Sequence, residues 1–184
     1  MSKVVESGSR RPHARAATRT RAKREAVREP EDLQVDLRPA RKSDYDYAQR
    51  LYVETMRPLL TRLDAWDEND VIDKFRGHYN LDDVSIIMVN GRDAGFLQVE
   101  ENADGITLAQ IHIEAPYRSR GIGTRLIRDL LSESRAKSKP VSLSVVKHNP
   151  AQVLYERLGF QIAGQDETKL HMRYEHGRSR DLQT

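Results

Sequence analysis

The segment Tyr117-Arg118-Ser119-Arg120-Gly121-Ile122-Gly123 separates two regular stretches of the chain. Residues 106–114 before it alternate between apolar and polar side chains, and the stretch from Thr124 onward has the apolar spacing of an amphipathic helix. The pattern predicts a strand that turns through two glycines into a helix. The first N–H groups of a helix, with the positive end of its dipole, form a site for phosphate. Four arginines add positive charge around this turn: Arg118, Arg120, Arg125 and Arg128.

The spacing of the glycines excludes two common nucleotide-binding loops. A dinucleotide-binding fingerprint needs a third glycine where the chain has Leu126. A P-loop needs a lysine directly after the last glycine, where the chain has Thr124 and Arg125. An ordinary strand-to-helix turn, with glycines for positive φ angles, remains as the alternative. The flanking elements and the arginines favour the phosphate site.

The composition indicates one domain with a tail, because the chain has 184 residues. It contains no cysteine, which excludes disulfides, thiolate metal sites and cysteine nucleophiles. No apolar run approaches the ~20 residues of a membrane-spanning helix. No hydrophobic stretch follows Arg10-Arg11, so the pair is not typical of a twin-arginine export signal. We therefore expect a cytoplasmic protein that does not associate with membranes.

Charge divides the chain into a basic arm and a domain. Residues 1–30 hold nine Lys or Arg against three Glu, a net charge of +6, and no aromatic residue. Such a segment is typical of a disordered tail. Nucleic acid, ribosome or anionic membrane could attract it, but without aromatic side chains to stack on bases we favour a solvated tail. The globular domain is predicted over residues 31–176, and residues 177–184 form a polar C-terminal tail.

Apolar periodicity predicts the element order β-α-α-β-β-β-α-β-α-β-β, an α/β domain with a mixed sheet. Ser43 is expected to cap the first helix and Pro58 to end it. The second helix is expected to open at Asp67. Asn90-Gly91 predicts a hairpin turn. Asn149 is expected to cap the last helix.

Three segments in this order resemble the GNAT superfamily of acyltransferases, over about 140 residues. They are the first strand and its turn, the glycine loop, and the last helix: residues 35–44, 118–123 and 149–160. The resemblance implies a mixed, mostly antiparallel sheet flanked by helices, with splayed central strands that hold acyl-coenzyme A. It also implies transfer of an acetyl group from acetyl-coenzyme A to a primary amine, by direct transfer in a ternary complex.

The resemblance assigns the coenzyme to backbone and side-chain groups on three elements. The backbone of Ile111 and Ile113 would bind the pantetheine arm like an added strand, with the amide of Ile113 polarising the thioester oxygen. Asn149 would contact the pantetheine or pyrophosphate region, beside its role as a helix cap. The pyrophosphate would bind the loop and helix start: Arg118, Ser119, Arg120, Gly121, Ile122, Gly123 and Thr124.

Tyr155 is the candidate general acid, because the family places a tyrosine beside the coenzyme sulfur at this position. A phenol can donate a proton to a departing thiolate. The alternative is a helix tyrosine that only packs beside Leu158.

The general base is less defined. His112 lies on the strand next to the expected coenzyme, with its side chain on the opposite face from Ile111 and Ile113. Glu100 and Glu114 are alternative carboxylates, and His112 also fits a polar side chain without a catalytic role.

The sequence gives little support for an acceptor-binding wall or a metal site. Trp66 and Asp67 lie where family members build the acceptor wall, although helix-entry packing and capping explain them more simply. The six histidines lack paired metal-ligand spacing, so no metal is expected.

The acceptor cannot be read from the sequence, and both a small molecule and a protein amine remain open. A monomer and a homodimer also remain open. The alternative to an enzyme is a non-catalytic module that senses acyl-coenzyme A, or docks on nucleic acid or ribosome through the basic arm.

Overall fold

The computed structural model describes residues 33–176, which form a sheet flanked by helices. The seven strands, β1 to β7 in chain order, are Val35–Pro39, Val84–Val89, Arg92–Glu101, Ile106–Ile113, Val141–Val146, Gln161–Gln165 and Lys169–Tyr174. The four α-helices, α1 to α4, are Tyr45–Thr61, Glu68–His78, Ile122–Ala136 and Ala151–Arg157. Short 3₁₀ turns span Lys42–Asp44, Leu81–Asp83 and Ala115–Tyr117. The predictions for the basic arm and for the polar tail lie outside the described residues.

The strands lie in the order β1-β2-β3-β4-β5-β7-β6. The β4–β5 pair is parallel and the other five neighbouring pairs are antiparallel. This is the mixed, mostly antiparallel sheet that the sequence predicted. Within residues 33–176, no helix combines the length and the apolar character that crossing a membrane requires.

The two central strands separate soon after they meet. The register of β4 with β5 covers only Ile106 with Val141, Thr107 with Ser142 and Leu108 with Leu143. Both strands continue beyond this point, β4 to Ile113 and β5 to Val146. A gap therefore opens in the middle of the sheet, as the prediction of splayed central strands required.

A β-bulge in β4 changes which side chains face each helix layer. Leu108 pairs with Val99 and Gln110 pairs with Gln98, so Ala109 is the extra residue. Before the bulge Leu108 packs in the cluster on the α3 face, and after it Ile111 and Ile113 do so. The bulge thus brings two odd-numbered isoleucines onto the same face as the even-numbered leucine.

Two hydrophobic clusters cover the two faces of the sheet. One packs α3 and α4 against the sheet through residues such as Ile127, Tyr155 and Met172. The other packs α1 and α2 through residues such as Leu51 and Phe75. The gap between β4 and β5 therefore lies between two separately packed helix layers.

The first helix does not end where the sequence predicted. α1 continues through Pro58 to Thr61, although proline removes one backbone N–H from the helix. Leu60, one turn after Met56, is 9% exposed in the α1–α2 cluster, so the packing of the last turn outweighs the lost hydrogen bond. The predicted Ser43 cap is also wrong, because Asp44 accepts the Arg41 N–H (2.8 Å) in the 3₁₀ turn before α1.

Two local predictions are confirmed. Oδ1 of Asp67 accepts the N–H of Asp70 at 3.0 Å, at the start of α2. Asn90 and Gly91 both adopt positive φ angles, +50° and +77°, between β2 and β3. This is the backbone that a two-residue hairpin turn requires.

Candidate acyl-coenzyme A site

The C-terminal half of β4 directs toward the gap backbone groups that no neighbouring strand pairs. The N–H of Glu114 donates to the carbonyl of Ala94 at 2.9 Å. In an antiparallel pair, adjacent residues alternate between pointing at the partner strand and pointing away. The N–H and C=O groups of Ile113 and Ile111 therefore point away from β3, toward the gap that β5 has left. An extended chain could add to this edge as a strand.

A cavity of about 440 Å³ lies at this gap. Its volume falls in the ordinary range for small-molecule sites. Eight of the predicted site residues line it: Ile111, His112, Ile113, Arg118, Ser119, Gly123, Asn149 and Tyr155. The structure thus gathers residues from β4, the glycine loop and α4 around one space.

Four predicted residues of the loop and helix start do not line the cavity: Arg120, Gly121, Ile122 and Thr124. Ile122 is 3% exposed and packs in the core on the α3 face. The other three are neighbours in the chain of the lining residues Ser119 and Gly123, where α3 begins.

The start of α3 presents free N–H groups. Gly121 has φ +82° at the cap position, and among the described residues no side chain caps the helix. The N–H of Arg125 donates to Gly121 O at 3.0 Å, which leaves the amides of Ile122, Gly123 and Thr124 before it. Such uncapped amides at a helix start attract an anion.

Arg118 lies across the end of β4. Its Nε donates to the carbonyl oxygen of Ile113 at 2.7 Å, and its Nη2 lies 4.0 Å from Oε1 of Glu54. The side chain therefore occupies part of the open edge of β4. A ligand that pairs with the Ile113 carbonyl would displace this contact.

Tyr155 forms the wall of the cavity opposite β4. Its side chain is only 6% exposed, and its ring packs edge-on against Phe160 with centroids 5.9 Å apart. Among the described residues no group hydrogen-bonds its hydroxyl. Burial raises the pKa of Tyr155 to about 12, so the phenol stays protonated at neutral pH.

Asn149 precedes α4 and stabilises its first turn. Its Oδ1 accepts the N–H of Ala151 at 2.9 Å. α4 begins at Ala151, and Pro150 lies directly before it at the cap position. Gly159 follows the helix with a φ of +98°. Glycine adopts this left-handed conformation without the steric cost that a side chain would add.

His112 is held by hydrogen bonds at both ring nitrogens. Nδ1 lies 2.6 Å from Oγ1 of Thr55, and Nε2 lies 2.8 Å from Oε1 of Gln110. The ring stacks on Phe96 with centroids 5.0 Å apart. Burial, and secondly the charge of Arg118, lower the pKa of His112 to about 3. The imidazole is therefore neutral at neutral pH and a weak proton acceptor.

Helix α1 supplies a wall of the cavity that the sequence interpretation missed: Thr55, Met56, Pro58 and Leu59. Thr55 and Met56 lie on the same face of α1 as the buried Leu51 and Tyr52, and apolar spacing alone does not distinguish a core face from a cavity wall. Continuation of α1 through Pro58 is what brings the last two residues to the cavity.

The other predicted acidic and aromatic candidates lie elsewhere. Oε1 of Glu114 accepts the hydroxyl of Tyr47 at 2.9 Å, and Oε1 of Glu100 accepts Nε2 of Gln98 at 2.9 Å. Trp66 packs beneath the guanidinium of Arg57 at 5.0 Å. Across residues 33–176, no group of three or more potential ligand side chains is arranged to hold a metal ion.

Several solved acetyltransferase structures share this fold. PaiA N-acetyltransferase from Thermoplasma acidophilum, in complex with coenzyme A, superposes with a TM-score of 0.63 at 15% identity, over 78% of this chain and 99% of that one. The ribosomal-protein-S18-alanine N-acetyltransferase from Escherichia coli superposes with a TM-score of 0.58 at 19% identity, over 82% of this chain and 99% of that one. An N-acetyltransferase from Staphylococcus aureus Mu50 superposes with a TM-score of 0.57 at 19% identity, over 76% of this chain and 100% of that one. These likenesses establish the shared fold.

Comparison with curated protein sequences gives no significant match. The model of the acetyltransferase (GNAT) domain, however, matches residues 81–162. That range contains β2 to β5, the glycine loop, α3 and α4, and so includes all of the candidate site except the α1 wall. Residues 81–162 are therefore similar to the acetyltransferase (GNAT) domain, and the described residues share the fold of solved acetyltransferases.

Proposed function

We propose that this protein is an N-acetyltransferase that moves an acetyl group from acetyl-coenzyme A to a primary amine, by direct transfer in a ternary complex. The observation that carries the proposal is the open edge of β4. Two residues there, Ile111 and Ile113, direct backbone groups into a cavity whose opposite wall contains Tyr155.

The residues around the cavity fit an acyl-coenzyme A. Its pantetheine arm carries amide groups, which match an unpaired strand edge. Its pyrophosphate matches the free amides at the start of α3, between Gly121 and Arg125. Arg118 and Arg120 supply positive charge beside those amides, and guanidinium groups pair well with phosphate. Bound there, the coenzyme supplies an activated acetyl thioester.

The amide of Ile113 is the proposed donor to the thioester oxygen. A backbone N–H fixed by the sheet needs no reorganisation as negative charge develops on that oxygen. Its neighbour Glu114 is hydrogen-bonded to Ala94, which holds the end of β4 in place. Arg118 must release the Ile113 carbonyl when this edge is used.

Tyr155 is the proposed general acid. The residue lines the cavity, and its hydroxyl is protonated and hydrogen-bonds no described group, so it is free to donate to a departing sulfur. Asn149 positions the start of the same helix, and thereby the tyrosine one turn later.

His112 remains a candidate for the proton acceptor. It lies in the cavity wall and is neutral, as a base must be. Its lowered pKa makes it a transient carrier rather than the final holder of a proton taken from an alkylammonium.

The experiment that tests the function is an acceptor screen of the full chain with acetyl-coenzyme A, which follows the release of free thiol. We expect thiol release that depends on the amine, with initial-rate lines that intersect when both substrates are varied. Binding of the coenzyme without release across alkylamines, amino acids, aminoglycosides and peptides would favour a binding module instead.

A further inference from the structure

A serine, a histidine and an aspartate form a hydrogen-bonded chain outside the cavity. Oγ of Ser144 on β5 lies 2.8 Å from Nδ1 of His171 on β7. Nε2 of His171 lies 3.3 Å from Oδ2 of Asp166, in the turn between β6 and β7. The site described above uses none of these three side chains.

The turn holds Asp166 in place. Its other oxygen, Oδ1, accepts the backbone N–H groups of Thr168 at 2.8 Å and Lys169 at 2.7 Å. These two bonds, with the nearby charge of His171 as a smaller cause, lower the pKa of the Asp166 carboxyl. The aspartate is thus an ionised partner on the far side of the imidazole.

Ser144 lies where the gap in the sheet begins. The last paired residues of the two central strands are Leu108 and Leu143, so Ser144 is the first residue of β5 beyond the pairing. Val146, two residues on, packs in the α1–α2 cluster. Alternation of side chains then places Ser144 on the α1 side of the sheet, the face opposite the start of α3.

The same face carries Gln110 from β4. Gln110 hydrogen-bonds Nε2 of His112, whose ring packs on Phe96 in the α1–α2 cluster. Gln110 and Ser144 therefore point to the same face from the two sides of the gap. Gln110 and Ser144 thus border the α1 face of the gap on its two sides.

The surroundings keep His171 open to solvent. Ser144 and His171 are both exposed, and His171 pairs in register with Gly164 of β6. A Cβ at Gly164 would lie 3.9 Å from Cδ2 of His171, so the glycine leaves that side of the ring uncovered. The charged side chains on the same face of β7 are Lys169 and Arg173, and Arg173 is paired with Glu175 at 3.0 Å.

We propose that Ser144, His171 and Asp166 form a proton relay that deprotonates a primary alkylammonium acceptor at the mouth of the gap. The inference rests on the proposed acetyl transfer. Ser144 accepts a proton from the ammonium as its own hydroxyl proton passes to Nδ1 of His171, and Asp166 stabilises the imidazolium. Ser144 contacts the acceptor, and His171 and Asp166 act through it.

The remaining steps balance the reaction. The neutral amine nitrogen bonds to the thioester carbon, the carbon–sulfur bond breaks, and the sulfur takes a proton from Tyr155. The proton that the nitrogen loses on becoming an amide returns to Tyr155 through solvent. His171 releases its proton to solvent, so that one ammonium and one thioester give one amide, one thiol and one proton.

The test compares two probe acceptors with the full chain and acetyl-coenzyme A at pH 7. n-Butylamine is protonated at this pH, and hydroxylamine is largely neutral. We expect His171→Gln and Ser144→Ala each to slow transfer to n-butylamine by about 10²- to 10⁴-fold. Transfer to hydroxylamine should change by less than about threefold, because no proton has to be removed before attack. Raising the pH toward 10 should restore n-butylamine transfer in both variants.

The matched control is Ser142→Ala, which removes the hydroxyl two residues earlier on the same face of β5. It should leave transfer to both amines unchanged. Equal losses with both amines, or no loss with n-butylamine, would contradict the relay while leaving acetyl transfer intact. If the unaltered chain bound acetyl-coenzyme A and transferred to neither amine, the relay would be contradicted, and the broader acceptor screen would decide the acetyl transfer itself.

Discussion

Oγ1 of Thr55 on α1 lies 2.6 Å from Nδ1 of His112 on β4, which joins the helix wall of the cavity to the strand that lines it. Thr55 also lies 2.9 Å from the carbonyl oxygens of Leu51 and Tyr52. Burial, and secondly the charge of Arg118, keep this imidazole in its neutral form. Protonation of His112 therefore works against the folded state.

Acid should destabilise the protein through His112. Its pKa is lowered from 6.5 to about 3 in the folded state, so the unfolded chain binds the proton more readily. The stabilisation is complete above pH 6.5 and is lost as the pH falls toward 3. We expect the difference in the free energy of unfolding between the unaltered chain and His112→Gln to shrink over this range, as measured by urea unfolding.

The control for this measurement is Val153→Ala, at an exposed side chain on α4 that does not titrate. The difference between this variant and the unaltered chain should stay constant with pH. A constant difference for His112→Gln as well would show that the ring is not held neutral.

Burial of Tyr155 should make the free energy of unfolding depend on pH in the alkaline range. Its pKa is raised from 10 to about 12, so the folded state holds the phenolic proton longer than the unfolded chain. The resulting stabilisation is present below pH 10 and is lost between pH 10 and 12. Over that interval the unaltered chain should lose more free energy of unfolding than Tyr155→Phe does. Equal losses of unfolding free energy in the two proteins would show that the Tyr155 hydroxyl is exposed to water.

Gly95 should be intolerant of any side chain. A Cβ there would collide with the backbone carbonyl oxygen of His112 on the neighbouring strand. The clash involves two paired strands rather than a flexible side chain, so relief requires the end of β4 to move. We expect Gly95→Ala to lower the free energy of unfolding by about 3 kcal/mol or more. Calorimetric unfolding measures the loss.

Gly77→Ala is the matched control, because a Cβ at Gly77 meets nothing within 4 Å. It lies inside α2, where alanine is favoured over glycine, so the variant should gain up to about 1 kcal/mol. Similar effects from the two substitutions would mean that β3 and β4 are not packed as closely as the structure has them.

Gly123 should separate coenzyme binding from stability. A Cβ at this position makes only ordinary contacts, 3.7 Å from Leu154 and 3.8 Å from Ile113, while a larger side chain enters the cavity. We expect Gly123→Val to fold with nearly unchanged stability and to bind coenzyme A at least tenfold more weakly, about 1.4 kcal/mol. Isothermal titration calorimetry measures the affinity.

Gly123→Ala adds a smaller side chain and should weaken coenzyme A binding much less than Gly123→Val does. Undiminished affinity in the valine variant would place the coenzyme away from the start of α3. A loss of folding together with affinity would assign Gly123 to the core instead of the site.

Much of the fold follows from local sequence signals. Asn90-Gly91 predicts its turn because few other residues adopt two successive positive φ angles. Asp67 predicts the start of α2 because its carboxylate satisfies a free amide. The glycine loop and the segment after Asn149 predict which strands and helices meet at the site.

The features that sequence could not predict depend on packing between distant segments. Pro58 is a helix breaker in isolation, and only burial of Leu60 shows that the helix continues. The bulge at Ala109 leaves no mark in the sequence. Arg118 was expected to face phosphate, yet its Nε donates to the carbonyl oxygen of Ile113, an acceptor that no neighbouring strand pairs.

The most direct test of acetyl transfer at this site compares the unaltered chain with Tyr155→Phe. Coenzyme affinity is measured by calorimetry, and amine-dependent thiol release from acetyl-coenzyme A is measured under saturating donor. We predict equal affinity within about threefold and a turnover lower by about 10²- to 10⁴-fold in the variant. Unchanged turnover in Tyr155→Phe would contradict the assignment of this cavity as the site of transfer.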